Sequence, residues 1–204
     1  MVQQYDPAKI RLRNVIDMGL NFSAMLRLYW TGSKRELYQN IFSERKKLFE
    51  AKSKEEFTSF HSGICDWGVG NIHLRDGETF ASYGQIAKTL DVVLKVAIYY
   101  CHLPDCEKCR EISRWLNAAV DTKMMAMLRR CYPHALKPWP TTVHEVSDRE
   151  SYNAIQELVR RFIREKHPDI LPVQFDDIYW WKLNKGKVYS DECSRQPAVS
   201  PLTK

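Results

Sequence analysis

The segment from Ser82 to Cys101 constrains the fold more than any other part of this 204-residue chain. At about 100° per residue of an α-helix, its apolar side chains cover most of the circumference of the helix. They are Ile86, Leu90, Val92, Val93, Leu94, Val96, Ala97 and Tyr99. A helix that is apolar on nearly all sides is typical of a domain interior. We therefore predict a central helix that other helices surround.

The polar residues of this segment fall on one side of the predicted helix. Gln85, Lys88, Asp91 and Lys95 share about 120° of arc at helical spacing. This stripe has two interpretations. It is a buried or cleft-lining polar cluster, whose members then need partners, or it is the solvent-facing side of an ordinary amphipathic helix. The spacing alone leaves both open.

Helical periodicity also dominates the rest of the chain. Apolar residues recur at helical spacing from Pro7 to Trp30, and Thr31-Gly32-Ser33 then forms a break from which Ser33 is expected to cap the next helix. Ser53 and Ser147 each have an acidic residue three positions later, which is the capping-box pattern. Three prolines predict a loop over 132–146, and no alternating β pattern is present.

We therefore predict a single all-α domain of six to eight helices over residues 1–183. Its parts are a basic N-terminal helical pair (7–52), central helices (54–131) and C-terminal helices (147–183). The polar, proline-containing residues 184–204 are predicted to be a flexible tail.

Composition narrows the class of protein. Apolar residues make up 44% and charged residues 27% of the chain, as in soluble globular proteins. The N-terminal residues lack the pattern of a signal peptide, and the most apolar stretch, Val92 to Tyr100, is far shorter than the roughly 20 residues that span a bilayer. We expect a cytoplasmic protein with no membrane partner, whose six cysteines are thiols or metal ligands before disulfides.

The net charge of +6 is concentrated near the N-terminus. Residues 1–52 hold ten basic against five acidic residues, whereas residues 53–204 hold 21 against 20. A basic helical face attracts phosphate backbones, although it is also compatible with simple solvation. The residues predicted to bind nucleic acid are Arg11, Arg13, Lys34, Arg35, Arg45, Lys46 and Lys47.

Scattered positions over about residues 80–185 carry a resemblance. They are Tyr83-Gly84-Gln85-x-x-Lys88-x-x-Asp91-x-x-x-Lys95, Val120-Asp121, Trp139, then Tyr152, Gln156 and Arg160, and Phe175-Asp176-x-x-Tyr179-Trp180-Trp181. Together they resemble a group of uncharacterised helical prokaryotic proteins. The resemblance implies a helical fold and a shared polar core, and brings no activity with it. It motivates a polar centre made of Gln85, Lys88, Lys95 and Asp121.

Two further patterns suggest chemistry. Arg129 and His134 fit the Arg-x4-His motif and resemble the helical nucleases of prokaryotic toxin and defence systems. Such a pair would steady a scissile phosphate and aid proton transfer at a ribose hydroxyl without a metal. Separately, Cys101, Cys106 and Cys109, with Cys131 as a fourth ligand, form the tightest cluster of potential zinc ligands. Reduced thiols packed at a corner between helices are the alternative, and no other cofactor is expected.

The sequence leads to two hypotheses from different classes. The first is an accessory protein of a prokaryotic mobile element or defence system that engages nucleic acid, with a metal-independent ribonuclease as the leading form if it is an enzyme. The second is a non-catalytic helical module, with or without a structural zinc, that binds a protein partner or a second copy of itself.

Overall fold

The computed structural model describes residues 6–184, with side chains to Tyr179, and is all-α, as predicted. Within these residues there are eight α-helices and no β-strand. The helices are α1 (Pro7–Phe22), α2 (Thr31–Glu50), α3 (Lys54–Asn71), α4 (Tyr83–Leu94), α5 (Cys106–Ile112), α6 (Thr122–Cys131), α7 (Arg149–Lys166) and α8 (Pro172–Asn184). Short 3₁₀-helices span Ala24–Leu28 and Val143–Glu145, and a π-helical segment, Lys95–Tyr100, continues α4.

Helix α4 is the central helix that the sequence predicts. Ten of its twelve residues are buried, and α1, α3, α7 and both 3₁₀-helices pack on it. Glycines allow the closest approaches. A Cβ atom on Gly19 of α1 would lie 2.9 Å from the Cα of Val93, and one on Gly68 of α3 would lie 2.7 Å from a methyl carbon of Ile86. The buried apolar side chains of all these helices join one cluster that extends to Tyr179.

Side-chain caps begin most of the helices. Asp6 accepts hydrogen bonds from the backbone of Ala8 and Lys9 ahead of Pro7, Ser53 accepts from Glu56, and Ser82 forms a reciprocal capping box with Gln85. The predicted start of α3 at Ser53 is therefore confirmed. Each cap satisfies backbone N–H groups that the first turn of a helix leaves without partners.

Three predicted boundaries were wrong. The first helix ends at Phe22 rather than Trp30, because Ser23 turns the chain into the 3₁₀-helix. Ser33 lies inside α2, where its buried hydroxyl accepts a hydrogen bond from the backbone N–H of His73 at 2.8 Å instead of capping the helix. Asp148, not Ser147, caps α7 by accepting from the backbone N–H of Ser151 at 2.8 Å.

The tail predicted over 184–204 lies outside the described residues apart from Asn184. Among the described helices, none is long and apolar enough to cross a membrane.

Candidate functional site

An open cleft of about 370 Å³ lies where α4, the start of α6 and the two 3₁₀-helices meet. Its apolar wall consists of Met25, Leu28 and Val143. Its polar wall consists of Gln85, Lys88, Asp121, Thr122, Lys123, Thr142 and His144. Three of the four residues of the predicted polar centre, Gln85, Lys88 and Asp121, therefore line one cleft.

Lys88 is the unusual group in this cleft. Its side chain is half-buried, and among the described residues it forms no hydrogen bond or ion pair. Burial lowers the pKa of Lys88, and the more distant carboxylates of Asp121 and Asp176 oppose that shift without cancelling it. Removing a cation from water without giving it a partner is unfavourable. A perturbed, unpaired group in a cleft is a candidate for ligand binding.

Gln85 is fixed by the start of its own helix. Its Oε1 accepts the backbone N–H of Ser82 at 2.9 Å and lies 3.4 Å from Nδ1 of His144. The residue is only 4% exposed. Its Nε2 has no acceptor among the described residues. Gln85 therefore offers an amide donor to a molecule in the cleft.

Asp121 has a structural task at the mouth of the cleft. It caps α6, and its Oδ1 accepts the backbone N–H of Met124 at 2.9 Å. The segment before Asp121 is fixed by Gln156 of α7. Its Oε1 accepts the backbone N–H of Ala118 at 3.1 Å, and its Nε2 donates to the backbone oxygen of Ala118 at 2.8 Å. The first turn of α6 therefore points its N-terminal end at the cleft from a fixed position.

Lys95, the fourth residue of the predicted centre, lies elsewhere. Its Nζ contacts carboxylate oxygens of Asp176 at 2.8 Å and Asp177 at 2.5 Å, and the hydroxyl of Tyr100 donates to the same oxygen of Asp177 at 2.5 Å. Burial raises the pKa of Asp176 to about 6, against the attraction of Lys95. Lys95 thus anchors α8 to the π-helical end of α4 and does not reach the cleft.

The basic residues of α1 and α2 meet on a second surface. The Tyr38 and Phe42 rings stack with centroids 6.0 Å apart, and the guanidinium carbons of Arg45 and Arg13 lie 3.9 and 5.4 Å from the centroid of Phe42. We call Arg13, Tyr38, Phe42 and Arg45 the arginine–aromatic cluster. The two guanidinium groups are held by cation–π contacts, and among the described residues neither forms an ion pair.

The other predicted nucleic-acid-binding residues also keep most of their charge available. Among the described residues, only Lys47 of the seven forms an ion pair, with Glu44 at 2.6 Å. Arg11 donates to the backbone oxygen of Cys101 at 3.1 Å. Arg35 and Lys46 are exposed and Lys34 is half-buried. The excess positive charge of α1 and α2 therefore faces solvent.

A buried polar cluster of His61, Asp91 and Tyr152 is not indicated by the sequence pattern. The Nε2 of His61 lies 2.9 Å from Asp91 Oδ1, and the hydroxyl of Tyr152 donates to Asp91 Oδ2 at 2.8 Å. Cys65 Sγ lies 3.8 Å from His61 Nδ1. Burial opposes the charged imidazolium, but the Cys65 sulfur and the Asp91 carboxylate outweigh it and raise the pKa of His61 to about 10. Asp91 and Tyr152 are among the positions that carry the resemblance, but nothing in the sequence connects His61 with them.

The predicted zinc ligands do not come together. Across residues 6–184, no group of three or more His, Cys, Asp or Glu side chains could hold a metal ion. Cys109 donates its thiol to the backbone oxygen of Leu103 at 3.0 Å, burial raises its pKa to about 11, and Cys106 is exposed. Cys131 is disulfide-bonded, which corrects its interpretation as a free thiol.

The predicted nuclease pair is open to solvent. Arg129 is exposed on α6 and His134 is exposed beyond the end of that helix, and within the described residues no hydrogen bond joins the two. Arg129 lines a shallow groove with Arg130, Pro133, Pro140 and Thr141. His134 does not line this groove, so the described residues assemble no site around the pair.

Comparison of the chain with models of protein families, with curated proteins and with solved structures found no match. The function is therefore argued from the geometry of this chain.

Proposed function

We propose that the protein binds nucleic acid through the basic surface of α1 and α2. The observation that carries this proposal is the arginine–aromatic cluster, in which two guanidinium groups lie on the Phe42 ring and have no carboxylate partner among the described residues. Arg35 and Lys46 are exposed on the same face of α2 as Phe42. Residues 1–52 as a whole hold ten basic against five acidic residues.

The chemistry of these groups suits phosphates and bases together. A guanidinium that rests on a ring keeps several N–H donors for a phosphate, since the ring occupies only its face. Arg45 covers the Phe42 ring, and the half-buried Tyr38 ring beside it offers stacking area to an unpaired base. This combination favours single-stranded nucleic acid. The same proposal places the protein in a mobile-element or defence setting, which the resemblance in the sequence suggests.

The test is a titration against labelled single- and double-stranded DNA and RNA at several salt concentrations. If binding depends on phosphates, log K falls linearly with the logarithm of the salt concentration. Each phosphate contact adds about 0.7 to the steepness of this line for a single strand and about 0.9 for a duplex. The variant Arg13→Gln/Arg45→Gln is expected to bind more weakly and to lose about two such contacts from the slope.

A matched control is the variant Arg110→Gln/Lys137→Gln, which removes two exposed positive charges outside α1 and α2. It is expected to keep the wild-type slope if the basic surface is the binding site. Equal losses in the two variants would mean that only net charge matters, and absence of binding at low salt would refute the proposal.

The same samples test the nuclease form of the hypothesis. If Arg129 and His134 cleave RNA, cleavage is lost in His134→Ala while binding persists. Unchanged cleavage in His134→Ala would remove this pair from any reaction.

A further inference from the structure

We propose that the cleft at Lys88 is a separate binding site for a terminal phosphate, such as that of a phosphorylated small molecule. The proposal goes beyond nucleic-acid binding and does not rest on it. Its basis is a half-buried lysine that lacks a partner among the described residues, in a cleft whose other polar groups are mostly donors.

The charges along α4 single out Lys88. Asp91 is compensated by His61 and Tyr152, and Lys95 is compensated by Asp176 and Asp177. Lys88 lies one turn before Asp91 on the same side of the helix, and the opposing carboxylates of Asp121 and Asp176 act on it only at a distance. An anion in the cleft would be the missing partner of Lys88. Its attraction to the ammonium group would offset the hydration that the ammonium group loses on burial.

The donors of the cleft come from separate elements. Gln85 Nε2 and Lys88 Nζ come from α4, and the hydroxyl group of Thr122 comes from the start of α6. Thr142, in the loop before the second 3₁₀-helix, also lines the cleft, but its side chain hydrogen-bonds Glu145. The backbone N–H of Thr122, the first residue of α6, has no acceptor among the described residues. A tetrahedral phosphate accepts hydrogen bonds from several directions at once, which a planar carboxylate does less well. Lys123 also lines the cleft.

The one acidic side chain in the cleft is already engaged. Asp121 gives its Oδ1 to the backbone of Met124. Its charge acts on Lys88 only from beyond ion-pair distance, so Lys88 has no direct carboxylate partner among the described residues.

The size and the apolar wall limit the rest of the ligand. A volume of about 370 Å³ lies near the lower end of ligand pockets, which hold about 300–1,000 Å³. Met25, Leu28 and Val143 provide a surface for a sugar or a single base. A phosphorylated sugar, a mononucleotide or the phosphorylated end of a strand fits this description, and the shared chemistry is the terminal phosphate.

The first experiment compares adenosine 5′-monophosphate with adenosine by calorimetric titration of the full-length protein. The two probes differ only in the phosphate, so we expect the nucleotide to bind and the nucleoside to bind at least about tenfold more weakly. Inorganic phosphate is expected to compete with the nucleotide. Equal binding of the two probes, or binding of neither, would overturn the proposal.

The second experiment uses Lys88→Met, with Lys46→Met on the exposed surface of α2 as the matched control. We expect Lys88→Met to bind the nucleotide about 10- to 100-fold more weakly while its binding to an oligonucleotide without a terminal phosphate is unchanged. Lys46→Met is expected to bind the nucleotide as tightly as the wild type does. Nucleotide binding that is as tight in Lys88→Met and in a second variant, Lys88→Gln, as in the wild type would contradict the proposed site.

The source of the phosphate is resolved by strands that carry either a 5′-phosphate or a 5′-hydroxyl group. Competition with the nucleotide by the phosphorylated strand alone identifies a strand end as a ligand. If neither strand competes while the nucleotide binds, the ligand is a small phosphorylated molecule. Because the nucleotide assay contains no nucleic acid, its result stands whether or not the surface of α1 and α2 binds DNA or RNA.

Discussion

Replacing His61 by glutamine is expected to remove a pH dependence of stability that the buried cluster creates. His61 of α3 is 2% exposed and faces Asp91 of α4, while the ring of Tyr152 from α7 stacks on it with centroids 5.8 Å apart. Cys65 approaches its other ring nitrogen from the same helix. Of these neighbours, the Cys65 sulfur contributes most to the raised pKa of His61, and the hydrogen bond to the Asp91 carboxylate adds to it.

The size of the effect follows from linkage. The pKa of His61 rises from 6.5 to about 10 on folding, so the folded protein keeps a proton that the unfolded chain releases. The contribution to stability is fully present below pH 6.5 and is lost as the pH rises toward 10. The free energy of unfolding is therefore expected to fall by about 2–3 kcal/mol between pH 7 and pH 9. For a chain of this length, that loss lowers Tm by about 5–10 °C.

Urea denaturation at several pH values from 7 to 9 measures this loss. His61→Gln is expected to be less stable than the wild type at pH 7 and nearly independent of pH over this range, because glutamine has no proton to release. His134→Gln, which removes an exposed imidazole outside the cleft, is the control and should follow the wild-type curve. Parallel curves for the wild type and His61→Gln would mean that His61 is neutral in the folded protein, and would refute the reasoning.

Three other substitutions, one of them paired with a control substitution, test the contacts of α4 and its π-helical end. Tyr152→Phe removes the hydroxyl donor to Asp91 and is expected to lower the free energy of unfolding by about 1–3 kcal/mol in urea denaturation; an unchanged midpoint would contradict that contact. Gly84→Ala places a Cβ 2.5 Å from the backbone oxygen of Val143 and is expected to cost about 1–3 kcal/mol by the same assay. The control is Gly63→Ala, where the new Cβ meets nothing within 4 Å, and it is expected to raise the free energy of unfolding by about 0.5–1 kcal/mol. Equal effects of the two glycine substitutions would show that Gly84 is not crowded. Lys95→Met leaves Asp176 without its cation and should destabilise the protein by about 2–3 kcal/mol, less than a fully buried pair because Asp177 is partly exposed. Limited proteolysis should then cleave α8 faster than in the wild type, and an unchanged rate would argue against the anchoring role of Lys95.

The fold class was predictable because helical periodicity is a property of neighbouring residues. The same locality explains the errors at helix ends. Ser147 and Asp148 are both good caps, and the capping-box rule selected the serine although the carboxylate is the group that meets the N–H of Ser151. Ser33 satisfied the local rule for a cap, but its hydroxyl is used by His73, forty residues away. A distant partner of this kind leaves no trace in local spacing.

For the candidate site, local spacing predicted which residues share a side of α4 but not which parts of the chain contact them. Spacing places Gln85, Lys88, Asp91 and Lys95 on one side of α4, and the cap and helix pattern bring Asp121 to the start of α6. Spacing does not say what packs against each turn of that side. The 3₁₀-helix in the loop over 132–146 places His144 in the cleft with Gln85 and Lys88. His61 of α3 contacts Asp91, and Asp176 of α8 forms an ion pair with Lys95. The polar stripe of α4 is therefore neither a single buried cluster nor a solvent-facing side. Its members contact three different parts of the chain.

This division makes Lys88 informative. Along α4 the chain provides a partner for the carboxylate of Asp91 and for the ammonium group of Lys95, yet among the described residues it provides none for Lys88. If no anion ever occupies the cleft, the buried charge only lowers stability, and Lys88→Met should unfold at a higher urea concentration than the wild type under all conditions. If a phosphate completes the site, the same variant should be more stable without the nucleotide and less stable than the wild type with it. A binding site is therefore indicated if the variant is more stable than the wild type without nucleotide and less stable at high nucleotide concentration. A variant that is more stable under both conditions would mean that Lys88 is only an unpaired buried charge.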